Sequence, residues 1–436
     1  MRILEWDRLT SGERRAALKR PQQAAQSEVF ESARQIIARV RANGDAALRE
    51  LTARFDGSEV IDLKVPAAAF RRARGALAAA EITALERAIA NVRTFHAAQA
   101  PAPVALDTED GVRCERLLRP YEAVGLYVPG GSAPLPSTVI MLAVPAALAG
   151  CTRRVLCTPP ARDGAPAAAV LVAAELCGID TVFAVGGAQA IAALAYGTAS
   201  IPRVDKIFGP GNAWVTAAKQ VVAADPSGAA CDLPAGPSEV LVIADESARP
   251  DFIAADLLAQ AEHDVRAQAL LITPSAALAQ AVEAHIAALL PRLSRRAILE
   301  ESLESCRCLL VRDLDTALAL ANNYAPEHLL LAVREPRRYL ASVRQAGAVF
   351  LGEWSSEPLG DYCAGPNHVL PTYGYARSYG ALSLQDFLRA MTVQEVSPAG
   401  LAALGPTALT LAELEGLDAH AHAVRCRLAA LAGGRP

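Results

Sequence analysis

Imidazole, carboxylate and carboxamide side chains gather in four short polar islands of an otherwise Ala- and Leu-rich chain. The islands are Gln260-Ala261-Glu262-His263-Asp264, Pro326-Glu327-His328, Gly360-Asp361-Tyr362 running on to Asn367-His368, and Asp418-Ala419-His420-Ala421-His422. Five of the seven histidines lie in them. These side chains are the usual parts of metal sites and of proton-transfer catalysis. An apolar chain that concentrates them reads as one that has built a site.

Each island admits a chemical and a plain reading. Gln260 and His263 are three apart in an expected helix over 251–267, so they share a face. They are either two ligands to one metal or packed polar side chains. Asp361 sits in an expected loop dense in Gly, Pro and Tyr, as a third ligand or a turn former. His420 and His422 point about 200° apart on a helix, so at most one serves a given ion. Glu327-His328 follows Pro326 and precedes Leu329-Leu330-Leu331, at the mouth of an expected strand. Histidine titrates near neutrality and is the commonest general base, and a neighbouring glutamate can activate water. The residues alone leave that pair open between a catalytic dyad and a solvated loop.

Three glycine turns stand upstream: Pro129-Gly130-Gly131-Ser132, Gly186-Gly187-Ala188-Gln189 and Gly209-Pro210-Gly211-Asn212. Each joins an expected strand to an expected helix, where free N–H groups and the helix dipole favour an anion. The dinucleotide fingerprint G-x-G-x-x-G is absent, because Trp214 stands where its third glycine would be. There is no P-loop. Three such turns at one end of one sheet favour a nucleotide site.

The elements that must position these residues alternate. Strands are expected at 124–128, 154–157, 181–185, 206–208, 239–244, 269–273, 329–333 and 348–351, with helices between them. The pattern describes parallel sheets covered by helices. Helical stretches over 27–55 and 66–98 come first, the former punctuated at Asn43-Gly44-Asp45. The last 55 residues read as short helices without a strand. The chain thus reads as a helical lead-in, two α/β bodies and a helical tail, with no evident internal repeat.

Composition narrows the classes. A chain of 436 residues suggests two to three domains. Net charge is −4, and no basic stretch is interleaved with aromatics, which argues against nucleic acid. No apolar run reaches the roughly 20 residues of a membrane span, and residues 1–20 show no signal-peptide pattern. Nine cysteines without a CxxC pair fit a reducing cytoplasm. Cys306-Arg307-Cys308 reads as the start of a strand.

The motifs together resemble the histidinol dehydrogenase family over nearly the whole chain. The resemblance is carried by Gly125-Leu126-Tyr127-Val128-Pro129-Gly130-Gly131, Gly186-Gly187-Ala188-Gln189-Ala190-Ile191, Gly209-Pro210-Gly211-Asn212, Gly236-Pro237-Ser238-Glu239, the islands at 260–264 and 325–329, Asn367-His368-Val369-Leu370-Pro371-Thr372 and Leu417-Asp418-Ala419-His420. It implies an α/β fold of two incomplete Rossmann-like domains. The expected division is a lead-in at 1–25, a metal and catalytic domain at 26–126 plus 239–381, a cofactor domain at 127–238 and a tail at 382–436.

The resemblance also implies one zinc ion per subunit, held by Gln260, His263, Asp361 and His420. It implies NAD near Tyr127, Gln189 and Asn212. Histidinol would be bound by the zinc with Ser238, His368 and Glu415 around it, His328 as general base and Glu327 activating water. It implies a homodimer whose tail carries His420 and Glu415 to the partner's site. A zinc hydrolase using Glu327 without a nucleotide, and an inert α/β binding protein, are the other classes these residue types admit.

Overall fold

In this computed structural model, residues 1–21, 26–130, 133–234 and 236–433 are described. Gly131 and Ser132 of the first glycine turn, and residues 22–25 of the expected lead-in, lie outside them. The chain divides into a large unit, 1–99 with 121–386, and a small unit, 100–120 with 387–436.

The large unit contains two parallel sheets. The first has five strands, in the order Val182–Ala184, Arg153–Thr158, Ala123–Tyr127, Lys206–Phe208, Ala230–Cys231. Numbered along this segment, that order is 3-2-1-4-5, the order of a doubly wound nucleotide-binding sheet without its sixth strand. Its central strand Ala123–Tyr127 is buried throughout. A parallel strand covered on both faces must be apolar at every position, which is why Val124-Gly125-Leu126 shows no alternation.

The second sheet has six strands, in the order Arg2–Glu5, Arg307–Leu310, Gln268–Thr273, Glu239–Ala244, His328–Ala332, Ala348–Leu351. From residue 239 onward this is again 3-2-1-4-5, with the N-terminal strand added outside the third. Arg2–Glu5 pairs in parallel with Arg307–Leu310. The lead-in is therefore partly a strand, too short and too charged at its ends to show as one.

Two parts of the expected division change. Strand Ala123–Tyr127 belongs wholly to the five-stranded sheet. Helix Gln26–Asp56 packs on helices Gly187–Tyr196 and Ala213–Ala224, and helices Ala67–Ala76 and Ala79–Ala97 pack on Ala168–Leu176 and Pro136–Ala149. Residues 26–126 therefore go with the glycine-turn sheet up to the hairpin that starts at 104. The expected punctuation at Gly44 is a kink, with φ 51.

The small unit is a three-stranded antiparallel sheet followed by two helices. Leu388–Val396 pairs with Val112–Pro120, which pairs with Val104–Glu109. Of the tail's first stretch, 384–391, expected as a short helix, Leu384–Phe387 is one 3-10 turn and the remaining half is strand. The short helices expected over 398–414 are one helix, Pro398–Leu414, which packs on Asp418–Leu431. Among the described residues no helix is long and apolar enough to cross a membrane. All nine cysteines are free.

Candidate active site

The site is built on the amino ends of the six-stranded sheet. Helix Leu314–Tyr324 ends in Ala325, which takes the left-handed conformation at φ 54. Pro326 then turns the chain into strand His328–Ala332. Gly347 lies against this turn: its N–H donates to the Pro326 carbonyl at 2.9 Å, and a Cβ there would stand 2.6 Å from the Glu327 carbonyl oxygen. Only glycine lets the two backbones approach so closely.

Glu327 and His328 are both buried and both held by one residue, Glu239, at the start of the neighbouring strand. The Glu239 N–H donates to Glu327 Oε2 at 2.8 Å. The Glu239 carbonyl lies 3.0 Å from His328 Nδ1. A carbonyl only accepts, so Nδ1 carries a proton, and Nε2 has no hydrogen-bond partner in the protein. Asp361 Oδ1 stands 3.3 Å from that Nε2 as an electrostatic contact. Burial disfavours the charged imidazole, but the Glu327, Glu357 and Asp361 carboxylates outweigh it and raise the His328 pKa well above its ordinary value. Burial pushes the Glu327 carboxyl up to about 8, against the opposing pull of His328.

Glu239 is itself clamped. Arg20 donates to both of its carboxylate oxygens and, through Nη2, to the carbonyls of Tyr324 and Ala325 at 2.9 and 3.3 Å. One guanidinium thus ties the left-handed turn to the strand that holds the dyad.

Gln260 lies in the last turn of helix Pro250–Ala261, and His263 lies past that end, not inside the expected longer helix. The turn still continues, with the His263 N–H donating to the Gln260 carbonyl at 3.2 Å, so both side chains reach the same cavity. Gln260 is fully buried, and neither atom of its carboxamide has a partner. Asp361 is in a short helix, Glu357–Tyr362, instead of the expected loop. His368 Nε2 is also buried and unpartnered. Its neighbour Asn367 is fully engaged: Nδ2 contacts the Met141 carbonyl at 2.7 Å and His96 Nε2 at 3.3 Å, and Oδ1 accepts from Val369 N–H at 2.9 Å.

A cavity of about 270 Å³ is lined by Ser238, Gln260, His263, Glu327, His328, Asp361 and His368 on one side and by Pro129, Pro210 and Asn212 on the other. A second cavity of about 480 Å³ is lined by Tyr127, Gln189 and Asn212 with Pro159, Phe55 and Asp56. The carboxyl ends of the five-stranded sheet supply its glycine turns. Gly209 has φ 126, and a Cβ there would strike the Tyr127 carbonyl oxygen. Lys219 and Asp232 form a buried ion pair across this turn; Lys219 also donates to the Gly209 carbonyl at 2.9 Å, and Asp232 accepts from Gly209 N–H at 2.7 Å. Asn212 caps the following helix, its Oδ1 accepting from Trp214 and Val215 N–H groups. Tyr127 accepts at its hydroxyl from Gly187 N–H at 3.1 Å.

Glu415 and His420 belong to the small unit, where both are exposed. Glu357 was not among the expected residues. It is 1% exposed, its Oε2 has no partner, and burial raises its pKa well above the usual range. Donor atoms of His263, Glu357 and Asp361 lie within 4.8 Å of one another. Its sequence signal is the four-residue spacing to Asp361, visible only once that segment is known to be helical. His263 is exposed while Glu357 and Asp361 are buried; with the unpartnered buried atoms of Gln260, Glu357 and His368 beside them, this nitrogen and oxygen donor set is the chemistry of a divalent-cation site.

The chain matches the family model described as "Histidinol dehydrogenase" over residues 18–428. It is 53% identical over 428 residues to the histidinol dehydrogenase of Xanthomonas euvesicatoria pv. vesicatoria, covering 98% of this chain and 99% of that one. It is 50% identical over 436 residues to that of Vibrio parahaemolyticus, covering 100% of both. The crystal structure of histidinol dehydrogenase from Elizabethkingia anophelis superposes with a TM-score of 0.93 at 41% identity, covering 99% of this chain and 98% of that one.

Proposed function

This chain belongs to the histidinol dehydrogenase family, and on that premise we propose that it oxidises histidinol to histidine in two steps, with zinc in its site and NAD as oxidant. Membership makes it an oxidoreductase of histidine biosynthesis. The finer reading is carried by one observation: Gln260, His263, Glu327, His328, Asp361 and His368 line one cavity, with unpartnered buried atoms on Gln260, His328 and His368.

Gln260, His263 and Asp361 are the residues of this unit that would hold zinc, a nitrogen and oxygen set that suits it. Bound there, zinc would fix the amino and imidazole nitrogens of the substrate and so orient the reacting carbon. NAD supplies the hydride acceptor; Tyr127, Gln189 and Asn212 would bind it.

With its Nδ1 proton committed to Glu239, His328 has Nε2 left to take the hydroxyl proton as the carbon loses hydride. The surrounding carboxylates stabilise the imidazolium that forms when it takes that proton. Glu327 then takes a proton from the water that adds to the aldehyde carbon, while His328 returns its proton to the former carbonyl oxygen and is free to act again. The resulting hydrate gives its hydroxyl proton to His328 as the second hydride leaves. Ser238 and His368 line the substrate's place.

The site would be completed by His420 and Glu415 of the partner subunit in a homodimer. Leu411, Leu414, Leu417 and Leu431 of the small unit are exposed, an apolar surface that asks for cover. A coupled assay tests the whole reading. Each histidinol should yield two NADH and one histidine; one NADH with free aldehyde would contradict it.

A further inference from the structure

The second cavity holds a carboxylate for which the proposed chemistry has no use. Asp56 is the last residue of helix Gln26–Asp56, and Gly57 at φ 62 turns the chain away behind it. It lines the cavity beside Tyr127, Gln189 and Pro159. Its Oδ2 is buried without a hydrogen-bond partner, a condition that native proteins rarely leave unexplained. Burial pushes this carboxyl up to about 6.

The two cavities share Pro129 and Asn212. A dinucleotide reaching both must pass these residues. Its nicotinamide has to lie at the His328 end, where the hydride leaves carbon. The second cavity therefore receives the other end, the adenosine. Two aromatic side chains there are large and solvent-exposed, Phe55 at 52% and Trp214 at 43%, and offer flat faces to a purine.

Doubly wound folds commonly place an acid after the second strand to accept the ribose hydroxyls. Here the second strand, Arg153–Thr158, is followed by Pro159-Pro160, so that acid is missing from its usual place. Asp56 brings a carboxylate to the same cavity from a helix outside the sheet. None of the described lining residues is a lysine or arginine.

We infer that Asp56 accepts the hydroxyls of the adenosine ribose and thereby selects the dinucleotide with a free 2′-hydroxyl over its 2′-phosphorylated form. The ribose diol gives the orphaned Oδ2 its partner. A 2′-phosphate would bring negative charge against a carboxylate with no cation in the described lining to offset it. This rests on reading the cavity as the dinucleotide site.

The test titrates the full-length protein with NADH and with NADPH, following quenching of tryptophan fluorescence. Asp56→Asn and Asp56→Ser both remove the charge; Gln189→Ala probes the cavity independently. Hydrogen bonds to charged groups are worth enough that NADH affinity should fall about ten- to a hundredfold in the Asp56 variants. NADPH affinity should hold or rise, so the preference for NADH collapses. Gln189→Ala should weaken both ligands alike. If Gln189→Ala weakens binding while the Asp56 variants keep the full preference, the role of Asp56 is overturned and the cavity reading stands. If none of the variants changes affinity for either dinucleotide, the cavity reading falls and takes the inference with it.

Discussion

The two parallel sheets of the large unit share a strand order and use opposite ends of it. In the five-stranded sheet the glycine turns follow the carboxyl ends of strands Ala123–Tyr127, Val182–Ala184 and Lys206–Phe208. That is where open α/β sheets usually bind ligands. In the six-stranded sheet Ser238, Glu239, Glu327 and His328 all stand at amino ends, and Gln260 and His263 leave the end of a helix that returns there. The first cavity is lined from both edges. Strand order therefore does not dictate which edge is functional. Backbone N–H groups at helix starts suit phosphates, and the carboxyl edge offers them. The amino edge is free to carry side chains for chemistry, provided something holds them, and Arg20 with Glu239 does so.

The sharpest break between the edges is expected in turnover. His328→Ala should lower kcat by ~10²–10⁴ on both histidinol and histidinal, the usual worth of a general base, and leave NADH affinity intact. Glu327→Gln should spare the alcohol step more than the aldehyde step. Loss of dinucleotide affinity with kcat preserved in His328→Ala would erase the proposed division between the edges.

Next in size is the ion pair behind the carboxyl edge. Lys219→Met leaves Asp232 buried and unpaired, at a cost of about 3–5 kcal/mol of stability. Denaturant midpoints should show that drop for Lys219→Met and almost none for His328→Ala. A wild-type midpoint for Lys219→Met would mean the pair does not hold the Gly209 turn.

The amino edge should bind metal and the carboxyl edge should not. His263→Ala or Asp361→Ala should weaken zinc binding by at least the ~10–100-fold seen for changes one layer further out, read as metal content after dialysis, with Gln189→Ala retaining its ion. Full occupancy in either ligand variant would remove that residue from the set.

The smallest effect concerns Asp56 and pH. Its folded pKa of about 6 exceeds the ordinary 3.8. The folded protein thus retains a proton that the unfolded chain releases between those values. The associated stability is present below the unfolded pKa and is lost as pH rises through about 6. Asparagine mimics the protonated form. Asp56→Asn should therefore melt slightly higher than the parent at pH 8 and equally at pH 4. A variant destabilised at pH 8 would show that the carboxylate is stabilised by something other than a ligand.

What was legible in the sequence follows from burial. Strands such as Glu239–Ala244 and Gln268–Thr273 are buried at every residue and announce themselves as apolar runs. Leu388–Val396 is largely exposed and shows neither a run nor an alternation, so its antiparallel pairing with Val112–Pro120 was invisible. Asp110-Gly111, with Gly111 at φ 80, was the one hairpin signal available there. The polar islands stood out because the surrounding chain is apolar. Glu357 did not, since a single glutamate after Ser355-Ser356 is unremarkable until the helix turns it inward. Arg20 was equally silent, because its partner Glu239 is more than two hundred residues away.

The edge strand Arg2–Glu5 has a consequence for synthesis on the ribosome. Among the described residues its only strand partner is Arg307–Leu310. Synthesis proceeds at ~5–20 residues per second, so the first residues made wait tens of seconds for their place. The five-stranded sheet, by contrast, is complete in sequence at Cys231 and can close while the second half is still being translated. Nascent chains should therefore acquire the five-stranded sheet first. The six-stranded one closes late, across a long loop whose entropy must be overcome before the final strand pairs.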